Sequence, residues 1–100
     1  MRVVFADDAI VDLEEIADFI ARDSARYARL TVKELRGKAK DLSQMREKFP
    51  VILRRGPVAM RRRPYGEYAI FYYLAADKYV VVARILHSAR DHERLLFPED

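Results

Sequence analysis

Two β-prone runs near the end of the chain constrain its fold most. Residues 68–74 and 79–86 are rich in Val, Ile, Tyr and Phe, which fit a pleated, half-buried surface. The four residues between them include an aspartate, and a connector of this length predicts a β-hairpin. The second run carries Arg84 towards its end, where a guanidinium must find a partner, face solvent or bind a ligand.

The composition limits the class of protein. One hundred residues, of which 51% are hydrophobic, predict a single domain over residues 1–100 with a core that needs no disulfide. There is no cysteine, which excludes thiolate chemistry and is compatible with the cytoplasm, where we expect the protein. The acidic residues near the N-terminus do not suit a secretory signal, and no apolar run approaches the roughly 18 residues of a membrane span.

The charges are distributed unevenly along the chain. Residues 1–23 hold seven acids and two bases, whereas residues 44–64 hold seven bases and one acid. The basic sector predicts an anionic partner, either nucleic acid or an acidic protein segment. Its centre is Arg61, Arg62 and Arg63, which could instead form a solvated face or protect an edge strand from aggregation.

The first helix is predicted to run to about Arg22, with Asp7 or Asp8 as its N-cap. Phe19 lies off the apolar stripe, so it is either a flank of the core or an exposed contact. The stripe that should face the core comprises Ile10, Leu13, Ile16, Ala17 and Ile20. The acids expected in solvent are Asp12, Glu14, Glu15 and Asp18.

A second helix is predicted after Ser24, which is a good N-cap residue. Its spacing of threes and fours indicates an antiparallel hairpin with the first helix. Gly37 lies off this stripe, either as a tolerated glycine, the simpler interpretation, or as a place where another chain approaches closely. The stripe comprises Ala25, Ala28, Val32, Leu35, Ala39 and Leu42.

The strand candidates are residues 2–5, 58–63, 68–74 and 79–86. Residues 46–57 show no periodicity and are predicted to connect helix to sheet. The last three strands follow one another without a crossover helix, which indicates an antiparallel meander. The predicted fold is therefore α+β, in the order β-α-α-β-β-β, with a helical hairpin packed on a largely antiparallel sheet. Residues 95–97 are expected to form one helical turn on that sheet, and the position of the first strand stays open.

Three groups of residues form a recognisable combination. One is the run Arg-Ile-Leu-His-Ser-Ala-Arg-Asp at residues 84–91. The others are Ala9, Asp12, Leu13, Ile16, Phe19 and Ile20 in the first helix, and Arg62, Tyr65, Gly66, Tyr68 and residues 70–72 in the strands. Together they resemble the ParE branch of the RelE/ParE toxin superfamily over nearly the whole chain. The run from Arg84 is similar to the family's Arg-Val-Leu-His-Gly-Ala-Arg-Asp signature, from which Ile85 and Ser88 depart.

The resemblance implies a RelE/ParE-like toxin of a type II toxin–antitoxin system, which acts in growth inhibition and plasmid stabilisation. A ParD-like antitoxin would neutralise it in a hetero-oligomer, docking an amphipathic helix and an extended segment. ParE-type members are associated with poisoning DNA gyrase, and RelE-type members cleave messenger RNA on the ribosome. We expect inhibition of gyrase by binding, without catalysis, cofactor or metal. The alternatives are a ribosome-dependent mRNA endoribonuclease and a nontoxic nucleic-acid-binding module.

Two surfaces are predicted for partners. The antitoxin helix is expected at Leu13, Ile16, Phe19 and Leu35. The residues expected to bind the target or the antitoxin are Arg61, Arg62, Arg63, Arg84, His87 and Arg90.

Arg84 and His87 would be the catalytic pair if the chain were a nuclease. Strict alternation places residues 84 and 87 on opposite faces of a strand, so a joint site requires a bulge or an early end to the strand. Arg84 could instead pair internally with Asp91 or Glu93. His87, Asp91 and His92 make a poor metal site, because zinc sites usually have three or four tightly placed ligands.

Overall fold

A computed structural model describes residues 1–76, 78–90 and 92–97, with only the backbone at positions 92 and 93. Nine elements follow one another: β1 (Arg2–Phe5), α1 (Asp7–Ala21), α2 (Ala25–Lys40), α3 (Leu42–Met45), β2 (Val51–Arg55), β3 (Val58–Tyr65), β4 (Tyr68–Ala75), β5 (Tyr79–His87) and α4 (His92–Leu96).

The five strands form one sheet in the order β1-β5-β4-β3-β2. Strands β2 to β5 make an antiparallel meander, and β1 lies parallel to β5 with Phe5 opposite Val82. The predicted α+β class, the helical hairpin and the largely antiparallel sheet are confirmed. The parallel place of β1 was open at the level of sequence, because no local signal states which strand a terminal strand will join.

Strand β2 was not predicted. Residues 51–55 were expected to belong to an irregular connection, and that prediction was wrong. This edge strand pairs with β3 through a register shift between Val51 and Leu53, which leaves Ile52 exposed. A bulge interrupts the alternation of inward and outward side chains, so the sequence there shows no period of two.

The main core lies between the helical hairpin and the sheet. Leu13 and Leu35 of the helices meet Tyr72, Val82 and Ile85 of the strands in one buried cluster. The connection between the helices is short, and the Ser24 hydroxyl accepts the Tyr27 amide at 3.1 Å, which confirms the predicted cap.

The predicted N-cap of α1 and one residue of its predicted core stripe were wrong. Its N-cap is Ala6, and no side chain caps the helix there, although Asp7 and Asp8 lie in the first turn where acids suit the helix dipole. Ile10, placed in the core stripe by its spacing, is 40% exposed. The buried face of α1 is turned away from Ile10 and towards Asp12.

A smaller buried cluster lies on the opposite face of the sheet. Met60, Phe71 and Leu86 pack there against Leu96 of α4. The predicted helical turn on the sheet is therefore confirmed. No helix among the described residues is both long and apolar enough to cross a membrane.

Candidate functional site

Asp12, which is buried, and Arg84, which is half-buried, form an ion pair that joins α1 to β5. The Nε of Arg84 donates to Asp12 Oδ2 at 2.7 Å, and its Nη2 donates to Oδ1 at 2.8 Å. Asp12 is only 3% exposed, and the hydrogen bonding of the Arg84 guanidinium to this carboxylate raises the pKa of Arg84. The two-point geometry is the strong form of an arginine–carboxylate contact.

The Asp12 carboxylate lies at an open edge of β5, where no neighbouring strand accepts the backbone amide. Strand β1 ends at Phe5, and the last bond on that side runs from the Ala6 amide to the Val82 carbonyl. Beyond it, the Ile85 amide donates to Asp12 Oδ2 at 2.9 Å. The carboxylate therefore replaces a missing strand, because a buried amide without an acceptor is costly.

Arg84 also connects the two faces of the sheet. Its Nη1 donates to the Leu95 carbonyl of α4 at 3.3 Å, while Nε and Nη2 hold Asp12 of α1. Arg84 therefore pairs internally, which was one of its two alternatives, but its partner is Asp12. The suggested partners Asp91 and Glu93 lie outside the residues whose side chains are described.

The prediction that the Asp12 carboxylate faces solvent was wrong, because this side chain is buried. An isolated acidic residue on a helix is normally exposed, and only a partner distant in sequence makes its burial favourable. That partner is 72 residues away, so the period of the helix contains no signal for it.

Arg84 and His87 do not share a face of the sheet. The bulge in β5 leaves Ala83 without a directly opposed residue, because Phe71 lies opposite Arg84 and Tyr72 lies opposite Val82. From Arg84 to His87 the register is regular, so the strand continues to alternate. A joint site required a bulge or an early end to the strand. The bulge precedes both residues and β5 continues to His87, so the two lie on opposite faces.

A groove of about 290 Å³ lies between α1 and the end of β5. We call it the Phe19 groove, and its principal lining residues are Glu15, Ile16, Phe19, Tyr68, His87 and Arg90. Phe19 is 65% exposed, which decides between the two alternatives for this side chain in favour of an exposed contact. An exposed aromatic beside a groove is typical of a protein-binding surface.

His87 is held at the rim of the Phe19 groove. Its ring meets the Tyr68 ring edge-on, with centroids 5.7 Å apart. Its Nδ1 accepts the Ala89 amide at 3.1 Å. Burial raises the pKa of Tyr68, so its hydroxyl keeps its proton to a higher pH than that of a free tyrosine. His87 and Arg90 are exposed and line the same groove.

The residues predicted to bind the antitoxin helix are only partly at the surface. Leu13 and Leu35 are buried in the main core, so they have no surface to offer a partner, and their assignment to that interface is corrected. Ile16 is 9% exposed at the floor of the Phe19 groove. Phe19 is therefore the residue on which this predicted interface depends.

The three consecutive arginines divide between the two faces of β3. Arg61 and Arg63 lie opposite Tyr72 and Ile70 of the main core, whereas Arg62 lies opposite Phe71 on the other face. The sequence presents them as one patch, but alternation along the strand separates them.

Arg61 and Arg63 also secure the connection that follows α2. Arg61 Nη1 donates to the Phe49 carbonyl at 2.6 Å, and Arg63 Nη1 donates to the Lys38 carbonyl at 3.0 Å. The Arg63 guanidinium lies 4.9 Å from the centre of the Phe49 ring. Both side chains therefore have structural roles, and their carbonyl acceptors carry no negative charge that would offset the charge of the guanidinium groups.

A second basic surface lies on α2 and was missed from the sequence. Arg29, Lys33, Arg36 and Lys40 are exposed and recur at intervals of four, three and four residues. This spacing places them along one side of the helix. These residues lie between the acidic sector 1–23 and the basic sector 44–64, so the contrast between those two sectors does not include them.

Comparison with known proteins decides the family. The family model described as the ParE toxin of the type II toxin–antitoxin system parDE matches residues 3–92. The chain belongs to the ParE toxin family. It is a ParE-type toxin of a type II toxin–antitoxin system, as the signature after Arg84 predicted. No curated protein matches the chain.

Two solved structures have the same fold as this ParE-family chain. The chromosomal ParDE toxin–antitoxin system from P. aeruginosa superposes with a TM-score of 0.71 at 17% identity, over 87% of this chain and 95% of that one. The toxin–antitoxin complex RelBE2 from Mycobacterium tuberculosis superposes with a TM-score of 0.58 at 24% identity, over 86% and 95%. At these identities the two similarities support the fold alone.

Proposed function

We propose that this ParE-type toxin inhibits DNA gyrase by binding to it, and that a ParD-like antitoxin neutralises the toxin by covering the Phe19 groove. The observation that supports inhibition by binding is the separation of Arg84 from His87 on opposite faces of the sheet. Cleavage of RNA requires an acid, a base and stabilisation of the developing charge at one place. The Arg84 guanidinium is already engaged by Asp12 and Leu95.

The Phe19 groove supports the antitoxin part of the proposal. It offers an exposed aromatic side chain, an apolar floor at Ile16 and the cation Arg90 at one end. A helix with an apolar row and an acidic residue near its end would complement this surface. Arg62 on the opposite face of β3 is available to an acidic extended segment of the same antitoxin. Gyrase acts on DNA in the cytoplasm, where the proposal places the toxin.

The experiment compares the two candidate targets directly. Purified toxin is added to gyrase supercoiling and cleavage assays and, in parallel, to translating ribosomes with primer extension as the readout. We expect trapped DNA breaks with gyrase and an unchanged cleavage pattern of ribosome-bound messenger. Discrete cuts in the messenger without any effect on gyrase would replace the proposal with the RelE-type alternative. Salt-sensitive binding to bare nucleic acid, with no effect in either assay, would indicate a nontoxic binding module.

The Phe19→Ala variant is a useful control in the same assays. It removes the exposed aromatic without disturbing the Asp12–Arg84 pair. If the variant still traps gyrase but escapes neutralisation by the antitoxin, the groove serves the antitoxin. If it fails to trap gyrase, the groove serves the target.

A further inference from the structure

A second cleft lies at the end of the molecule where α1 meets α2, beside the Phe19 groove. We call it the hairpin-end cleft, and its volume is about 220 Å³. Phe19 and Tyr68 line both the cleft and the Phe19 groove. The other principal lining residues belong to the cleft alone and are Asp23, Tyr27, Thr31 and Glu67.

The hairpin-end cleft presents aromatic rings to solvent. Phe19 is 65% exposed and Tyr27 is 61% exposed, whereas Tyr68 is half-buried. Single apolar side chains are common on protein surfaces, but several large aromatics around one cleft are typical of a contact with another molecule. The aromatic lining therefore marks this end of the toxin as a binding surface.

Backbone hydrogen bonds fix both walls of the cleft. On the helix side, the Asp23 amide donates to the Ile20 carbonyl at 3.0 Å, and the N-cap hydroxyl of α2 accepts the Tyr27 amide at 3.1 Å. On the sheet side, the Glu67 carbonyl accepts the Ser88 amide at 2.9 Å. A cleft whose walls are already ordered loses little conformational entropy when a partner binds.

The charged side chains that line the cleft are both acidic. Asp23 and Glu67 are exposed, and no lysine or arginine nitrogen in the described part of the chain lies within 4.0 Å of either carboxylate. Burial and then the negative charge of Glu67 raise the pKa of Tyr68, so this carboxylate acts on a ring of the cleft. The negative end of the α1 dipole meets the positive end of the α2 dipole here, and the two carboxylates therefore set the sign of the cleft.

We propose that the hairpin-end cleft binds a lysine or arginine side chain of gyrase. The cationic group lies against the Tyr27 ring and pairs with Asp23 and Glu67, because both an aromatic face and a carboxylate attract a cation. A volume below the roughly 300 Å³ of the smallest ligand pockets suits one side chain. The inference rests on the proposed function, because it takes gyrase to be the target.

A contact of the same kind already exists next to the cleft. The guanidinium of Arg22, which does not line the cleft, lies 5.7 Å from the centre of the Phe19 ring. A cation therefore associates with an exposed ring at this end of the toxin even where no carboxylate is paired with it. The cleft adds two carboxylates to the aromatic face, which strengthens the attraction.

The charge of the cleft selects gyrase as the partner. The surfaces proposed for the antitoxin carry Arg90 and Arg62, so the antitoxin is expected to present acidic residues, which Asp23 and Glu67 would repel. Nucleic acid is repelled for the same reason. An enzyme that acts on DNA, by contrast, carries lysine and arginine along the path of the duplex, because these residues neutralise the phosphates.

The shared wall of the two surfaces would account for neutralisation. An antitoxin helix that covers the Phe19 groove also covers Phe19 and Tyr68, which line the hairpin-end cleft. A gyrase side chain then has no access to the cleft. The antitoxin and gyrase should therefore compete for the toxin.

The test measures the affinity of the toxin for gyrase by biolayer interferometry and for the antitoxin encoded beside it by titration calorimetry. Tyr27→Ala removes one ring, and Asp23→Asn combined with Glu67→Gln removes the charge while keeping the shape. We expect each variant to lose about tenfold or more in gyrase affinity. The circular dichroism spectrum should be unchanged and the antitoxin affinity should stay within about twofold, because these residues do not line the Phe19 groove.

Three further variants serve as controls. Tyr27→Phe keeps the aromatic face and should bind gyrase within about threefold of the unmodified toxin. Asp41→Asn combined with Glu47→Gln makes the same change in net charge beyond the opposite end of α2, at exposed positions, and should stay within about twofold. Glu67→Lys should bind more weakly than Glu67→Gln alone, because it places a like charge against the cation.

The possible outcomes separate this inference from the proposed function. Failure of the unmodified toxin to bind gyrase overturns both. Binding by the unmodified toxin with unchanged affinity in Tyr27→Ala or in the neutral double variant overturns the cleft alone. Loss of antitoxin affinity in these variants assigns the cleft to the antitoxin and overturns the inference, whatever happens to gyrase binding. Equal gyrase affinity of Glu67→Lys and Glu67→Gln would contradict a cationic occupant.

Discussion

The carboxylate of Asp12 accepts both the guanidinium of Arg84 at 2.7 Å and the amide of Ile85 at 2.9 Å through the same oxygen, Oδ2. A residue of the first helix thus completes the edge of the last strand. The contact is part of the fold, so the arginine of the family signature has a structural task in this chain. A direct contact of Arg84 with gyrase or the antitoxin stays a prediction.

Removing either partner of this pair should destabilise the toxin. Arg84→Ala leaves the Asp12 carboxylate buried with one remaining donor from Ile85, and we expect the free energy of unfolding to fall by about 3 kcal/mol. Asp12→Ala should cost a similar amount, because the guanidinium and the Ile85 amide lose their acceptor. Urea denaturation measures both changes.

A double-mutant cycle tests whether the two side chains act together. The double variant Asp12→Ala with Arg84→Ala should be less destabilised than the sum of the two single variants, by more than about 0.5 kcal/mol. Strict additivity would contradict the pairing. If Arg84→Ala instead keeps its stability and loses only antitoxin binding, the arginine serves the partner and not the fold.

Phe19→Ala should reduce antitoxin affinity with little effect on stability. A central exposed aromatic that becomes buried on binding is typically worth 2 kcal/mol or more, which corresponds to about a 30-fold loss. Because Phe19 is 65% exposed in the toxin alone, its free energy of unfolding should change by no more than about 0.5 kcal/mol. Titration calorimetry gives the first quantity and thermal denaturation the second. Ile52→Ala, at an exposed apolar position on the edge strand β2, is the matched control and should leave the affinity unchanged.

Substitutions at Arg62 and Arg63 should have different consequences. Arg63→Ala removes the hydrogen bond to the Lys38 carbonyl and the contact with Phe49, so we expect a loss of stability of about 1–2 kcal/mol. Arg62→Glu should keep the fold and weaken the binding of an anionic partner, with a reduced dependence on salt. Melting temperatures and affinities at two salt concentrations distinguish the two. Equal behaviour of both variants would contradict the division of these arginines between the faces of β3.

The stability of the toxin should fall at alkaline pH partly through Tyr72. Burial raises the pKa of this side chain in the folded state, and its hydroxyl donates to the Arg46 carbonyl at 2.8 Å. The unfolded chain therefore loses this proton first, near pH 10, and the contribution of Tyr72 to stability is present below that pH and lost above it.

Tyr72→Phe provides the check on this pH dependence. Between pH 9 and 11 its stability should decrease less steeply than that of the unmodified toxin, by up to about 1.4 kcal/mol per pH unit. At pH 7 the variant should be less stable by about 1 kcal/mol, because the hydrogen bond to the Arg46 carbonyl is lost. Denaturation curves at several pH values test both statements, and parallel pH profiles would rule out a role for Tyr72.

The sequence by itself determined the elements whose signal is local. The two helices follow from their three- and four-residue spacing and the Ser24 cap, and β4 and β5 follow from their β-branched and aromatic residues on either side of a short connector. The ParE signature that begins near the end of β5 could also be recognised from the sequence, because its residues are contiguous. Phe19 was recognised as lying off the core stripe because a regular helix has a fixed angle per residue.

Tertiary structure alone decided what depends on residues that are far apart in the chain. It placed β1 beside β5, left the edge of β5 open beyond Val82, and buried Asp12 there against Arg84, 72 residues away. It also separated Arg62 from its two neighbours, Arg61 and Arg63, on the two faces of β3. Local periodicity shows which residues share one face of an element. The free energy of burying a charge depends on what that face meets, and only packing determines that.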